Sequence, residues 1–167
     1  DATTNIATRP SGLVRRLIDY WALAGGVILL AVVVMQVISV IGGVVWKPFP
    51  GDYEMTEVGV VIAVFSFLPH CQLHRANVSA DIFTQRAPPY LIGLFGLLAS
   101  LVAMGFALLL CWRMYFGMLD QKAYNYETTI LQFPTWIGFI PILISLALLA
   151  LASLITLAEE FGTLRKA

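Results

Sequence analysis

The chain has 167 residues, 59% hydrophobic and 12% charged, with ten basic against ten acidic residues and a formal net charge of zero. Soluble domains carry about 25% charged residues, so this composition excludes an ordinary soluble domain, and the charge balance argues against nucleic acid as a partner. Mean hydropathy is +0.85, and the few charges cluster between long apolar runs, the pattern of an integral membrane protein.

Residues 1–10 are polar and end in Arg9-Pro10. An amphipathic pattern starts at Ser11, a residue suited to an N-cap. Leu13, Val14, Leu17, Ile18 and Trp21 share one side, while Arg15, Arg16 and Asp19 face another. This predicts a short basic helix at the interface leading into helix 1. Arg15 and Asp19 are i,i+4 neighbours on it. Arg15, Arg16, Trp21 and, at the far end, Trp46 are read as membrane anchors.

Helix 1 is predicted over about 20–46, with Gln36 as its one clearly polar interior residue. It would span about 40 Å, more than a hydrocarbon core of about 30 Å, so tilt or protrusion is expected. This run is too long for a cleavable signal peptide. Lys47-Pro48-Phe49-Pro50-Gly51 closes it in a tight loop.

Helix 2 is predicted over about 53–73. Asp52, Glu54 and Glu57 mark its acidic start, Val58 to Leu68 its apolar run, and Pro69 to Asp81 its polar exit. Pro69 removes a backbone donor and is expected to kink or end the helix. Residues 76–87 mix Val78, Ile82 and Phe83 with Asn77, Ser79, Asp81, Gln85 and Arg86, which predicts a second short interfacial helix.

Helix 3 is predicted over about 90–114. Ala99, Ala103 and Ala107 repeat every fourth residue, a small-residue stripe that lets membrane helices approach closely. Residues 117–129 read as a loop. Helix 4 is predicted over about 134–158, with Pro134 in its first turn, Trp136 in the aromatic belt and Pro141 as an internal bend. The fold class is therefore all-α: a single domain of four transmembrane helices over residues 1–167, with interfacial helices near the N-terminus and between helices 2 and 3.

Four crossings put both termini on one side. That side holds Arg9, Arg15, Arg16, Arg75, Arg86, Arg165 and Lys166, seven basic residues, against Lys47, Arg113 and Lys122, three, on the other. By the positive-inside rule both termini are cytoplasmic, in the inner membrane.

His70 and His74 could share a helical face, which raises haem or metal ligation. An i,i+4 pair cannot clasp one haem from both sides, and zinc wants further ligands, with only Cys71 near. They are read as polar residues at a helix end; the competing class is a haem-binding redox subunit. Glu54 and Glu57 also share a face. They sit at the helix start, where the dipole favours them, and read either as a solvated start or as a partner contact. Cys71 and Cys111 read as small buried hydrophobes. No phosphate loop, nucleophile elbow or zinc-protease helix is present, no acidic or basic residue lies near a midplane, and no inverted repeat suggests a transport site. A stand-alone membrane enzyme or channel is the third possibility. No catalytic, cofactor, metal or substrate residue is assigned.

Two stretches resemble a known family, the small membrane subunit of tripartite ATP-independent periplasmic (TRAP) transporters. The first joins Glu54 and Glu57 to His74-Arg75-Ala76-Asn77-Val78-Ser79-Ala80-Asp81. Asp81 matches the family's aspartate, Val78 and Ala80 its apolar positions and Arg75 a basic one; Asn77 and Ala76 stand where histidine and glycine are common. The second is Glu127-Thr128-Thr129-Ile130-Leu131-Gln132-Phe133-Pro134-Thr135-Trp136 with Phe139 and Pro141, similar to the family's proline-x-tryptophan lead into its fourth helix. The resemblance covers almost the whole chain. It implies a non-enzymatic brace for a large elevator-type membrane subunit, with a periplasmic substrate-binding protein as the other protein partner and lipid around it. It also implies no cofactor here, sodium coupling in the large subunit, and an organic anion such as a dicarboxylate or sialic acid as cargo. Glu54, Glu57, Arg75, Asp81, Ala99, Ala103, Ala107, Pro134 and Trp136 are the expected interface or structural residues.

Overall fold

Among the described residues, the helices run on past their long apolar stretches, and the chain reverses outside them. The computed structural model describes residues 10–47, 49–74 and 89–164. They form α1 (Pro10–Val45), α2 (Asp52–Leu73), α3 (Pro89–Ala123) and α4 (Trp136–Leu164). All four are long and apolar enough to cross a membrane.

The apolar spans fall where the sequence placed them, while the ends differ. The amphipathic N-terminal stretch is not a separate interfacial helix. It is the first part of α1, which starts at Pro10, so Ser11 lies inside the helix rather than capping it. Proline suits a first turn because its missing N–H has no partner there. Likewise α3 runs on to Ala123 instead of ending near Met114. Met114, Leu119, Gln121, Lys122 and Ala123 are all good helix formers, so the backbone stays helical after the apolar run ends. Pro134 precedes α4 instead of opening it: it forms an isolated bridge with Glu127, and the first turn tightens as Ile137 N–H donates to the Pro134 carbonyl at 3.2 Å. α4 then continues to Leu164. The interfacial helix expected over 76–87, with Arg75 and Asp81, lies outside the described residues.

α1 and α2 form an antiparallel pair closed by the 46–51 loop, and α3 and α4 form another. The pairs join through α2 and α4, which run parallel, so α1, α2, α4 and α3 lie in that lateral order, with a small direct contact between α1 and α4. The close approach of α1 to α2 rests on small residues. A Cβ on Gly25 would meet the Ser66 Cβ at 2.6 Å, and one on Gly59 would collide with Val32. Ala63 and Ser66 are buried on the same seam. Pro69 does not end α2: it is fully buried and the helix continues past it to Leu73.

Several buried hydroxyls are satisfied within their own helices. Ser66 donates to the Ile62 carbonyl at 2.8 Å, Ser145 to Pro141 at 2.8 Å and Ser153 to Leu149 at 2.9 Å. In an apolar medium an unmade hydrogen bond is costly, and this back-bonding lets small polar residues sit at helix seams. Ile18, Leu73, Leu148 and Ala152 form the apolar core where α1, α2 and α4 meet, with Val14, Trp21 and Ile155 packed against it.

Candidate functional site

Polar chemistry gathers at the two ends of the bundle, and the ends differ in kind. At the end holding the two short loops, Glu54 of α2 reaches across to the α3–α4 loop. Its carboxylate accepts the Ile130 N–H at 2.8 Å and the Leu131 N–H at 3.1 Å. The loop is already shaped to present them. Thr128 N–H donates to the Phe133 carbonyl at 3.0 Å and Gln132 N–H to Thr128 at 3.1 Å, while the Phe133 N–H donates to the Thr128 hydroxyl at 3.0 Å. Successive N–H groups converging on one carboxylate make a charge-assisted clamp.

The α1–α2 loop joins the same assembly. Gly51 has φ +79, and a Cβ there would lie 2.6 Å from the Leu131 Cγ. Both the left-handed backbone and the missing side chain are used. Asp52 closes the loop from α1, accepting from the Ser39 hydroxyl at 2.5 Å, and the Ser39 oxygen accepts the Phe49 N–H at 3.2 Å. One turn deeper, the Gln36 amide, singled out from the sequence as the clearly polar interior residue of helix 1, donates to the Thr56 hydroxyl. Lys122 stands 5.3 Å from the Trp136 ring centroid, a cation–π contact that fastens the end of α3 to the start of α4.

A cavity of about 720 Å³ opens beside the clamp, between α1, α2 and the α3–α4 loop. Ile28, Val32, Met35, Val58 and Leu131 line it, with Glu54 at its rim. It is an apolar groove with one carboxylate, and that carboxylate is already engaged by the loop.

At the opposite end, Asp19 of α1 meets both histidines of α2. Its Oδ1 lies 3.0 Å from His70 Nδ1 and 3.2 Å from His74 Nε2. The two rings lie with centroids 4.3 Å apart. Arg15, expected to pair with Asp19 along α1, instead bridges to Glu159 on α4. Beside them Trp21 donates to the Ser145 hydroxyl at 2.8 Å, and Gln72 reaches Thr156 at 3.4 Å.

The residues singled out from sequence thus divide. Glu54 is engaged, while Glu57 one turn on is exposed. Trp21 is tied to α4, Arg16 is exposed, and Trp46, just past the other end of α1, is 87% exposed. The alanine stripe is graded rather than uniform: Ala107 is fully buried, Ala103 partly, and Ala99 exposed. α3 packs chiefly on α4, so the buried end of the stripe faces its own bundle. Asp19 as partner of the histidines, and the Gly25–Ser66 and Gly59–Val32 contacts, are what the sequence reading missed. Their signal was the antiparallel register of α1 and α2.

Large apolar surfaces remain uncovered. Only 6% of the most apolar window of α1 and 11% of that of α3 are buried within the bundle, against 39% for α4. Helices this apolar and this exposed need lipid or protein around them, so the chain is a multi-pass membrane protein with charge confined to its ends. The family model described as the DctQ component of tripartite ATP-independent periplasmic transporters matches residues 29–163, and the chain belongs to that family. It is a transporter-component family, not an enzyme family. No curated protein and no solved structure matches the chain.

Proposed function

We propose that this chain is the static brace of its transporter. It binds a large elevator-type membrane subunit that holds the substrate and sodium sites, and a periplasmic protein delivers an organic anion such as a dicarboxylate or a sialic acid to that complex. Both termini face the cytoplasm of an inner membrane. The observation that carries this reading is the uncovered apolar face running along α1 and α3 in a bundle whose own spans hold no acidic or basic residue between Tyr20 and Val45, Val58 and Pro69, Gly96 and Trp112, or Trp136 and Ala158. A subunit that carried an anion or a cation through itself would want such groups at depth. A brace wants outward-facing surface.

The test is photocrosslinking in native membranes. A photoreactive residue at Val34 on α1 or Leu108 on α3, both exposed, reports what covers each face. At least one position is expected to capture a much larger membrane polypeptide encoded beside this chain. Capture of lipid alone from both faces, in cells that take up the substrate, refutes the brace.

A further inference from the structure

We propose that Asp19, His70 and His74 form a binding site for a divalent metal ion of the zinc class, bridging α1 and α2. The sequence reading set metal aside because an i,i+4 histidine pair had only Cys71 nearby as a further ligand. The fold supplies another from a different helix. Asp19, His70 and His74 each present one donor atom, and all three atoms lie within 4.8 Å of one another.

The geometry is specific. An ion bound at about 2.0–2.1 Å to tetrahedrally placed atoms holds those atoms about 3.3 Å apart. Asp19 Oδ1 sits 3.0 Å from His70 Nδ1 and 3.2 Å from His74 Nε2. Both imidazoles therefore aim a ring nitrogen at the same oxygen rather than one pairing with each oxygen. The donor set of two imidazoles and one carboxylate selects zinc, cobalt, nickel or copper over magnesium or calcium, which prefer all-oxygen shells. The three side chains are between 42% and 49% exposed, which leaves room for water at a fourth position.

The placement gives the ion a task. His74 is the C-cap of α2, so the site lies where α2 ends. An ion there ties that end to the first third of α1, on the side opposite the Glu54 clamp. Without metal the same contacts are hydrogen bonds, with the carboxylate accepting from one N–H of each ring. The two states differ in what they do to an added cation, and the difference is measurable without any transport assay, so this inference stands or falls apart from the brace.

Full-length protein, purified without a histidine tag and stripped with a chelator, is titrated with Co²⁺, followed by its visible d–d absorption, and then competed with Zn²⁺. One Co²⁺ per chain is expected, displaced by Zn²⁺. Asp19→Asn and His74→Gln should each weaken Co²⁺ binding at least tenfold, the lower bound for loss of even an outer partner of a metal ligand. Cys71→Ser should leave the spectrum unchanged. His74 lies at a helix end and is half-exposed, so its replacement leaves the bundle's packing in place, and retained helix content by circular dichroism verifies that. Absence of stoichiometric uptake by the wild type at micromolar Co²⁺ overturns the site, as does equal affinity in wild type and both variants. A thiolate-to-cobalt charge-transfer band lost in Cys71→Ser overturns the ligand set.

Discussion

Gly25→Ala is the smallest change that tests how α1 and α2 are held together. The added Cβ would lie 2.6 Å from the Ser66 Cβ, 3.3 Å from its Oγ and 3.4 Å from the Ala63 carbonyl oxygen. Rotamer change cannot relieve the first contact, because both atoms are fixed to their backbones. Bringing two such carbons to ordinary van der Waals separation needs about 1 Å of movement between the helices. Overpacking of this kind costs about 1–3 kcal/mol, a five- to hundredfold shift in an equilibrium constant. The partner change Ser66→Gly removes the opposing Cβ. It also removes the hydroxyl that back-bonds to Ile62 and adds a helical glycine, worth about 1 kcal/mol against alanine. The double variant should therefore recover part of the loss, with a coupling of about 0.5–3 kcal/mol. The assay is reversible unfolding of the purified protein in mixed micelles, run as a four-corner cycle. Strict additivity, or a Gly25→Ala variant as stable as wild type, refutes the close-packed seam.

Three other outcomes are expected. Gly51→Ala should destabilise by about 1–2 kcal/mol for the left-handed backbone alone and more for the contact with Leu131, so Leu131→Ala should restore only part of the loss in the same unfolding assay. Glu54→Ala should raise amide hydrogen exchange at Ile130 and Leu131, and Glu54→Gln, which keeps one acceptor oxygen, should give an intermediate rate; unchanged exchange in both disproves the clamp. Cysteine labelling from outside the cell should reach a probe at Gly51 or Gln121 and not one at Thr84 or Lys166, and labelling of Lys166 from outside reverses the topology.

The four spans were legible because hydropathy marks where lipid begins and ends. The helix ends were not legible for the same reason. Helical backbone stops at caps, turns and prolines rather than at the lipid boundary. At Met114 the apolar run gave out and the sequence offered Gly117 as a break, yet the chain stays helical to Ala123, since one glycine costs about 1 kcal/mol in a helix and the residues beyond it are good formers. Gly117 also lies against Phe139, 3.5 Å from where its Cβ would be, so a small residue there serves the α3–α4 contact. Glu54 stood out as a carboxylate at a helix start. Its partners are backbone N–H groups of a loop 76 and 77 residues away, and backbone donors carry no sequence signature.

Asp19 shows what a register argument adds. Local spacing assigned it to Arg15, four residues away on the same helix. The loop between α1 and α2 is short, so the helices must run antiparallel, and Ser39 pairs with Asp52. Stepping away from that pair at equal rise places Asp19, 20 residues before Ser39, midway between His70 and His74, which lie 18 and 22 residues after Asp52. A tie at one end of two straight helices thus fixes which residues meet about 30 Å away. Packing cannot do this alone in a membrane, where lipid is as apolar as leucine and burying leucine gains little. Small residues such as Gly25, Gly59 and Ala63 set how near the helices come, but such a seam tolerates sliding by a turn. The polar ties at the two ends, Ser39–Asp52 with the Glu54 clamp and Asp19 with its two histidines, remove that freedom. They do so without placing a charge at depth and without using the outer faces of α1 and α3, which stay uncovered by the bundle.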